Sequence, residues 1–146
     1  MLWSVAMSFE YKLTARFYEV DRAGIIFYAR FYEYAHAALE ELLTQMFGHP
    51  AAIFEAHDFG MPLVHSEADY MAPTRMGDRL IVSLSIERVG KGSVTFAYDI
   101  RSEEGEHRCS VKLVHAFVDM KTFAAIPVPA LFRDGLQNMG LIAPSS

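Results

Sequence analysis

An aspartate, a glycine three positions later and an aromatic pair stand together in Val20-Asp21-Arg22-Ala23-Gly24-Ile25-Ile26-Phe27-Tyr28. The acid and the glycine separate a strand-like stretch from a long amphipathic one. A junction of this kind sets a carboxylate beside the electropositive start of a helix, where backbone N–H groups lack intrahelical partners. That pairing suits attack on a carbonyl: the carboxylate delivers or activates a nucleophile, and the N–H groups receive the oxyanion. The same residues also describe an ordinary turn, with Asp21 capping the helix and Gly24 allowing a tight bend. Spacing alone leaves both readings open.

The elements that must position this junction follow from hydrophobic periodicity. Phe9, Tyr11, Leu13, Ala15 and Phe17 alternate with Glu10, Lys12, Thr14 and Arg16, a half-buried strand. Phe31, Ala35, Ala38, Leu39, Leu42 and Met46 then fall at helical spacing. The spacing predicts a helix from about Tyr28 to Met46, closed by Gly48 and Pro50. Residues 51–56 read as a short helix. Period two returns at Leu63–Tyr70 and again in the runs through Leu80, Val82, Leu84 and Ile86, through Val94, Phe96, Tyr98 and Ile100, and through Cys109, Val111, Leu113, His115 and Phe117. Gly90-Lys91-Gly92 and Glu103-Glu104-Gly105-Glu106 are the turns between them, and Ala130 to Met139 reads as a C-terminal helix. Short turns make an antiparallel meander, and one long helix is expected to cover its apolar face.

The chain has 146 residues, 52% of them hydrophobic, with 11 Phe and 7 Tyr. That is the size of one domain with a substantial core and apolar surface left for a subunit contact. A single domain over 1–146 is expected, with residues 1–7 an N-terminal extension, Met7 the native start and 140–146 a frayed tail. The net charge of −5 argues against a nucleic-acid partner. The single cysteine, Cys109, excludes an internal disulfide and any paired-cysteine metal motif, so a reducing cytoplasm is the expected compartment. No apolar run approaches the roughly 20 residues that cross a bilayer, so no integral membrane segment is expected. The six histidines show no metal-binding spacing, and no Gly-x-Ser-x-Gly elbow is present, so neither a metal nor a serine nucleophile is expected.

Three segments, taken in order, resemble the 4-hydroxybenzoyl-CoA thioesterase family of the hotdog fold, which includes short-chain acyl-CoA thioesterases associated with the Tol–Pal system. The first is Phe17-Tyr18-Glu19-Val20-Asp21-Arg22-Ala23-Gly24-Ile25-Ile26-Phe27-Tyr28-Ala29-Arg30-Phe31-Tyr32. The second is Tyr70-Met71-Ala72-Pro73-Thr74-Arg75-Met76-Gly77-Asp78, and the third is Arg88-Val89-Gly90-Lys91-Gly92-Ser93. The likeness runs over roughly residues 9 to 120. It implies an α+β hotdog fold, a curved antiparallel sheet wrapped around one long central helix. It also implies hydrolysis of a short-chain or aromatic acyl-CoA to the free acid and CoA.

Under that resemblance Asp21 attacks the thioester carbonyl or activates a water that does, and Gly24 bends the chain toward the helix start. The oxyanion sits among the N–H groups of Phe27, Tyr28 and Ala29, with Tyr28 at the family's donor position. One such donor contributes about 3 to 4 kcal/mol to the transition state. Coenzyme A enters only as part of the substrate, with no other cofactor. Arg75, Arg88, Lys91 and the backbone of Gly90 and Gly92 are the implied phosphate contacts. Phe27 and Phe31 are the implied acyl-pocket wall. His36 stands where the namesake enzyme carries a carboxylate, and Arg22 where several aroyl-CoA members carry Pro. His65, on a strand beside the helix, is a further pocket candidate, although a structural histidine is the commoner role. The implied assembly is a homodimer or tetramer with each site at a subunit interface. Two rival readings are a hotdog dehydratase or hydratase, which needs a His beside the acid, and a non-catalytic acyl-CoA-binding or protein-binding module.

Overall fold

The computed structural model describes residues 7–144. Strand β1 (Phe9–Thr14) leads through a single 3-10 turn at Phe17–Glu19 into the Asp21 loop and helix α1 (Arg30–Phe47). The short helix α2 (Ala52–Ala56) and strand β2 (Phe59–Gly60) follow. Four longer strands come next: β3 (Leu63–Tyr70), β4 (Arg79–Val89), β5 (Ser93–Ser102) and β6 (His107–Ala116). Strand β7 (Val118–Asp119) pairs with β2, and helix α3 (Ala130–Asn138) ends the fold. The main sheet has five strands in the order β1-β4-β5-β6-β3, every neighbour antiparallel. This is the expected hotdog arrangement.

The alternation seen in the sequence explains the layering. Along β5 and β6 every second residue is buried: Val94, Phe96, Tyr98 and Ile100 on one strand, Cys109, Val111, Leu113 and His115 on the next. α1 covers that face with Phe31, Tyr34, Ala35, Ala38, Leu39, Leu42 and Leu43. Ala35 and Ala38 have no exposed surface, and their small side chains let the helix axis come close to the sheet. Each fully buried Leu, Val or Phe contributes about 1.5 to 3 kcal/mol. α3, the expected C-terminal helix, adds a second cover beside α1, with Phe132 5.2 Å from Phe117 and both rings fully buried. Cys109 belongs to this core, and burial pushes its thiol up to about 12, as befits a packing residue rather than a nucleophile.

Three expectations change. The helix begins at Arg30 and not at Tyr28, with residues 28 and 29 in the turn before it. Asp21 is therefore too far from the helix to be its cap, and Ala29 occupies the cap position with no side-chain bond. Residues 141 and 142, expected in a frayed tail, pack instead: Leu141 is buried and Ile142 lies against the core. The proposed extension falls outside the described residues except for Met7, and so does the end of the tail.

Register defines the two ends of the sheet. Tyr11, Val82, Ile100, Cys109 and Tyr70 form one row across all five strands. Leu63, His115, Val94 and Val89 form a row near the opposite end. Six residues along β6 separate the rows, about 20 Å. The Asp21 loop belongs to the first end, and the turn at Gly90–Gly92 to the second.

Candidate active site

The Asp21 loop is a miniature hairpin. Val20 bridges Ile26, the Asp21 N–H donates to the Ile25 carbonyl at 2.8 Å, and the Gly24 N–H donates to the Asp21 carbonyl at 3.0 Å. Gly24 has φ +81°, a left-handed conformation that side chains other than Gly resist. Asp21 Oδ1 accepts from the N–H of Ala23 at 2.8 Å and of Ile25 at 3.4 Å. It thus caps its own turn. Oδ2 makes no hydrogen bond among the described residues and remains available for chemistry.

Two tethers hold the loop. The Ile26 N–H donates to the Thr74 carbonyl at 2.7 Å, with the Ile26 side chain buried. Arg108 fixes that second segment, reaching Thr74 Oγ1 at 3.1 Å, the Pro73 carbonyl at 3.3 Å and Asp78 Oδ2 at 2.8 Å. Burial opposes the charge on Asp78, but the Arg75 N–H and the Arg108 guanidinium outweigh it and hold the carboxyl below the usual range. The other tether is Glu19, 7% exposed. Its carbonyl accepts the Phe27 N–H at 2.9 Å, and its Oε1 accepts the Tyr34 hydroxyl at 2.7 Å and the Arg16 N–H at 2.7 Å. Burial, and then the contact with Glu19, pushes the Tyr34 phenol well above its ordinary value. Tyr34→Phe leaves a buried carboxylate short of one donor. It is expected to cost about 1 to 3 kcal/mol in urea unfolding, with turnover falling because the loop loses its anchor to α1.

The loop, the start of α1 and the end of β3 enclose a cleft of about 380 Å³. Asp21, Tyr28 and Phe31 face Tyr70, Ala72 and Pro73 across it. The Tyr70 hydroxyl donates to the Tyr28 carbonyl at 3.1 Å, and its ring meets Phe31 edge-on at 5.7 Å. The N–H groups of Tyr28 and Ala29 make no hydrogen bond among the described residues. They stand at the N-terminal turn of α1, where aligned peptide dipoles favour negative charge. The Phe27 N–H, expected as a third donor, is committed to Glu19, and the Phe27 ring packs on Tyr28 at 4.6 Å. The cleft therefore holds an acid, the free Tyr28 donor and an aromatic wall, and the free Ala29 N–H is the next donor along the chain. Among the described residues of one subunit, no histidine lines it. A larger cleft of about 570 Å³ is walled by polar side chains including Asp78, Glu103, Glu104 and Arg108. It offers an acyl group little apolar surface.

The remaining predicted residues are spread over the subunit. Arg75 is exposed beside the cleft wall. His36 is on the open side of α1, 3.6 Å from Glu40, and lines a second cleft of about 290 Å³ with His115. His65 is exposed on β3, 3.0 Å from Glu67. Arg88, Gly90, Lys91 and Gly92 lie at the far end of the sheet. The Gly90 N–H, expected to be free for a phosphate, donates to the Ser93 carbonyl at 2.8 Å. Three contributors were missed as site residues. Tyr70 stood in the second motif and was legible there. Glu19 is the only acid between β1 and Asp21. His115 shares the buried phase of Leu113 and Phe117, a signal that a histidine is enclosed. Among the described residues no cluster of three or more acids, histidines or cysteines is placed to hold a metal, and no helix is long and apolar enough to cross a membrane.

The chain is similar to known proteins in both sequence and fold. The model of the thioesterase-like superfamily matches residues 15–136. A 1,4-dihydroxy-2-naphthoyl-CoA hydrolase of Prochlorococcus marinus is 31% identical over 133 residues, covering 86% of this chain and 87% of that protein. The enzyme of the same name from Nostoc punctiforme is 31% identical over 98 residues, 67% of this chain and 66% of that protein. The crystal structure of a 1,4-dihydroxy-2-naphthoyl-CoA thioesterase from Synechocystis superposes with a TM-score of 0.83 at 25% identity, covering 90% of this chain and 96% of that one. By its sequence and its hotdog fold, the chain belongs to the thioesterase-like superfamily.

Proposed function

We propose that this protein hydrolyses an aromatic acyl-CoA to the free acid and CoA, with Asp21 as nucleophile or general base. The observation that carries this reading is the free Oδ2 of Asp21 in one aromatic cleft with Tyr28, whose N–H, like that of the adjoining Ala29, makes no hydrogen bond among the described residues. The motif likeness to 4-hydroxybenzoyl-CoA thioesterases and the names of the relatives support it. In the nucleophilic route a carboxylate oxygen attacks the thioester carbon. The C–S bond breaks, CoA thiolate leaves and takes a proton from water, and a second water opens the mixed anhydride. In the other route Asp21 takes the proton of the attacking water. Either way the carbonyl oxygen gains negative charge beside Tyr28 and Ala29, where the two donors stabilise it.

The working unit in this proposal is a dimer. β3 is an edge strand eight residues long, with Leu63, Val64 and Tyr70 exposed, and a free edge of that length pairs readily with a second copy. Two-fold antiparallel pairing along β3 brings the Leu63 end of one subunit against the Tyr70 end of the other. The partner's far end, including Arg88 and Lys91, then approaches this Asp21 cleft, where two cations suit the phosphates of CoA. Release of thiol from benzoyl-CoA, hydroxynaphthoyl-CoA and short aliphatic esters, followed alongside light scattering, tests the reading. Turnover of aromatic esters by a species of at least dimer mass is expected. No thiol from any ester would overturn the assignment.

A further inference from the structure

His115, in the wall of the second cleft, carries a polar atom that the mechanism does not use. His115 is 7% exposed and its Nδ1 lies 2.9 Å from the Met61 carbonyl. A carbonyl only accepts, so Nδ1 carries the proton and donates. In the neutral ring Nε2 is then left with its lone pair, an acceptor. Burial lowers the basicity of His115, against the pull of the Met61 carbonyl, and the nearby His36 adds to the lowering. Both effects favour the neutral ring. The Phe96 ring meets the imidazole edge-on at 5.5 Å and fixes its plane. Nε2 is buried and makes no hydrogen bond among the described residues. A buried acceptor left so is costly and uncommon.

The surroundings fit an apolar group that carries a hydrogen-bond donor. Leu39, Leu43, Phe54 and Met61 wall the cleft, and His36 and Glu40 stand at its more exposed side. His115 is in register with Leu63, the end of β3 that two-fold pairing sets against Tyr70 of the second copy. An acyl group whose thioester carbon rests at one subunit's Asp21 therefore extends toward the other subunit's His115.

We propose that His115 Nε2 accepts a hydrogen bond from a ring hydroxyl of the acyl group bound at the partner's Asp21, making His115 a specificity-determining residue for hydroxylated aroyl-CoA. The inference rests on the thioesterase reading above and assigns His115 a role within that site. A donor is what an acceptor-only atom requires, and a phenolic hydroxyl supplies one at the edge of a flat ring. An aroyl group lacking it leaves Nε2 unpaired, and sites that pair with a hydroxyl discriminate strongly against analogues without it.

The test compares benzoyl-CoA with its 2-, 3- and 4-hydroxy derivatives in the full-length protein. Wild type is expected to favour at least one hydroxylated isomer by roughly tenfold or more in kcat/KM. In His115→Phe that ratio is expected to fall to about one. His115→Gln, which keeps a donor for Met61 and an acceptor, is expected to retain part of the preference and shows that the ratio does not track folding. No preference in wild type, or an undiminished preference in His115→Phe, would overturn the proposal. If wild type hydrolyses none of the four esters, the thioesterase reading fails. Calorimetric Kd values for the same four ligands then decide the role of His115 by the same ratios.

Discussion

Asp21→Asn is expected to lower kcat for thioester hydrolysis by about 10³-fold or more, within reach of the 10²- to 10⁴-fold that a positioned acid or base typically contributes. The substitution is nearly isosteric. Its side-chain oxygen can still accept from the Ala23 and Ile25 N–H groups, which hold Oδ1 at 2.8 and 3.4 Å in the native loop. The hairpin should therefore survive, with a melting temperature within about 2 °C of wild type. What disappears is the negative charge on the unpaired oxygen, without which neither attack on the carbonyl nor deprotonation of water proceeds. Loss confined to kcat, with KM little changed, marks a group that acts in the transition state. Asp21→Ala is the contrasting variant, since it also removes the two backbone contacts and destabilises the loop by about 1 kcal/mol. Rapid-mixing measurements on wild type separate the two routes: a burst of thiol equal to the site concentration marks an acyl-enzyme anhydride. Wild-type turnover in Asp21→Asn would remove Asp21 from the mechanism.

What the sequence shows and what it hides divide by distance along the chain. The strands were legible because one face of each is buried, and period two survives any detail of packing. The Asp21 turn was legible because its contacts join neighbours: Asp21 to Ala23, Asp21 to Ile25, and Gly24 at positive φ. The supports of the loop were hidden because they are non-local. Glu19 meets Tyr34 across 15 residues, Arg108 meets Asp78 across 30, and Ile26 bonds to Thr74 on a segment beyond α1. No local pattern marks Glu19 as buried, since an acid beside Tyr18 and Val20 reads as a solvated turn residue. The helix start moved for the same reason. The Phe27 N–H bonds back to Glu19, residues 27–29 stay out of α1, and the N–H groups of Tyr28 and Ala29 are left without a hydrogen bond among the described residues. His115 was visible as a member of a buried row, but its Met61 partner, 54 residues away, was not. The scattered positions of His36, Arg88 and Lys91 have a related cause. A motif gives residue types in order, while their convergence depends on a second copy of the chain.

The donor at Tyr28 can be tested separately from its ring. Tyr28→Pro removes the N–H, and Tyr28→Ala removes the ring but keeps the N–H. Proline is tolerated at the opening turn of a helix, where the lost N–H has no intrahelical acceptor. Here the Tyr28 N–H makes no hydrogen bond among the described residues, so the fold loses none. The Tyr28 carbonyl, which accepts from Tyr70 at 3.1 Å and from the Phe31 N–H at 3.3 Å, is present in both variants. Proline also disfavours a helical conformation at the preceding residue, and Phe27 lies outside α1, beside the Val20–Ile26 bridge. If this N–H receives the oxyanion, Tyr28→Pro should lower kcat by about 10²- to 10³-fold, the usual effect of deleting one such donor. Tyr28→Ala should act mainly on KM, because the ring, 61% exposed, contributes contact with the acyl group in ground and transition states alike. The two variants thus separate in steady-state kinetics by which parameter moves. Equal losses of kcat in both would assign the effect to the ring, leaving Ala29 as the one remaining donor at the start of α1.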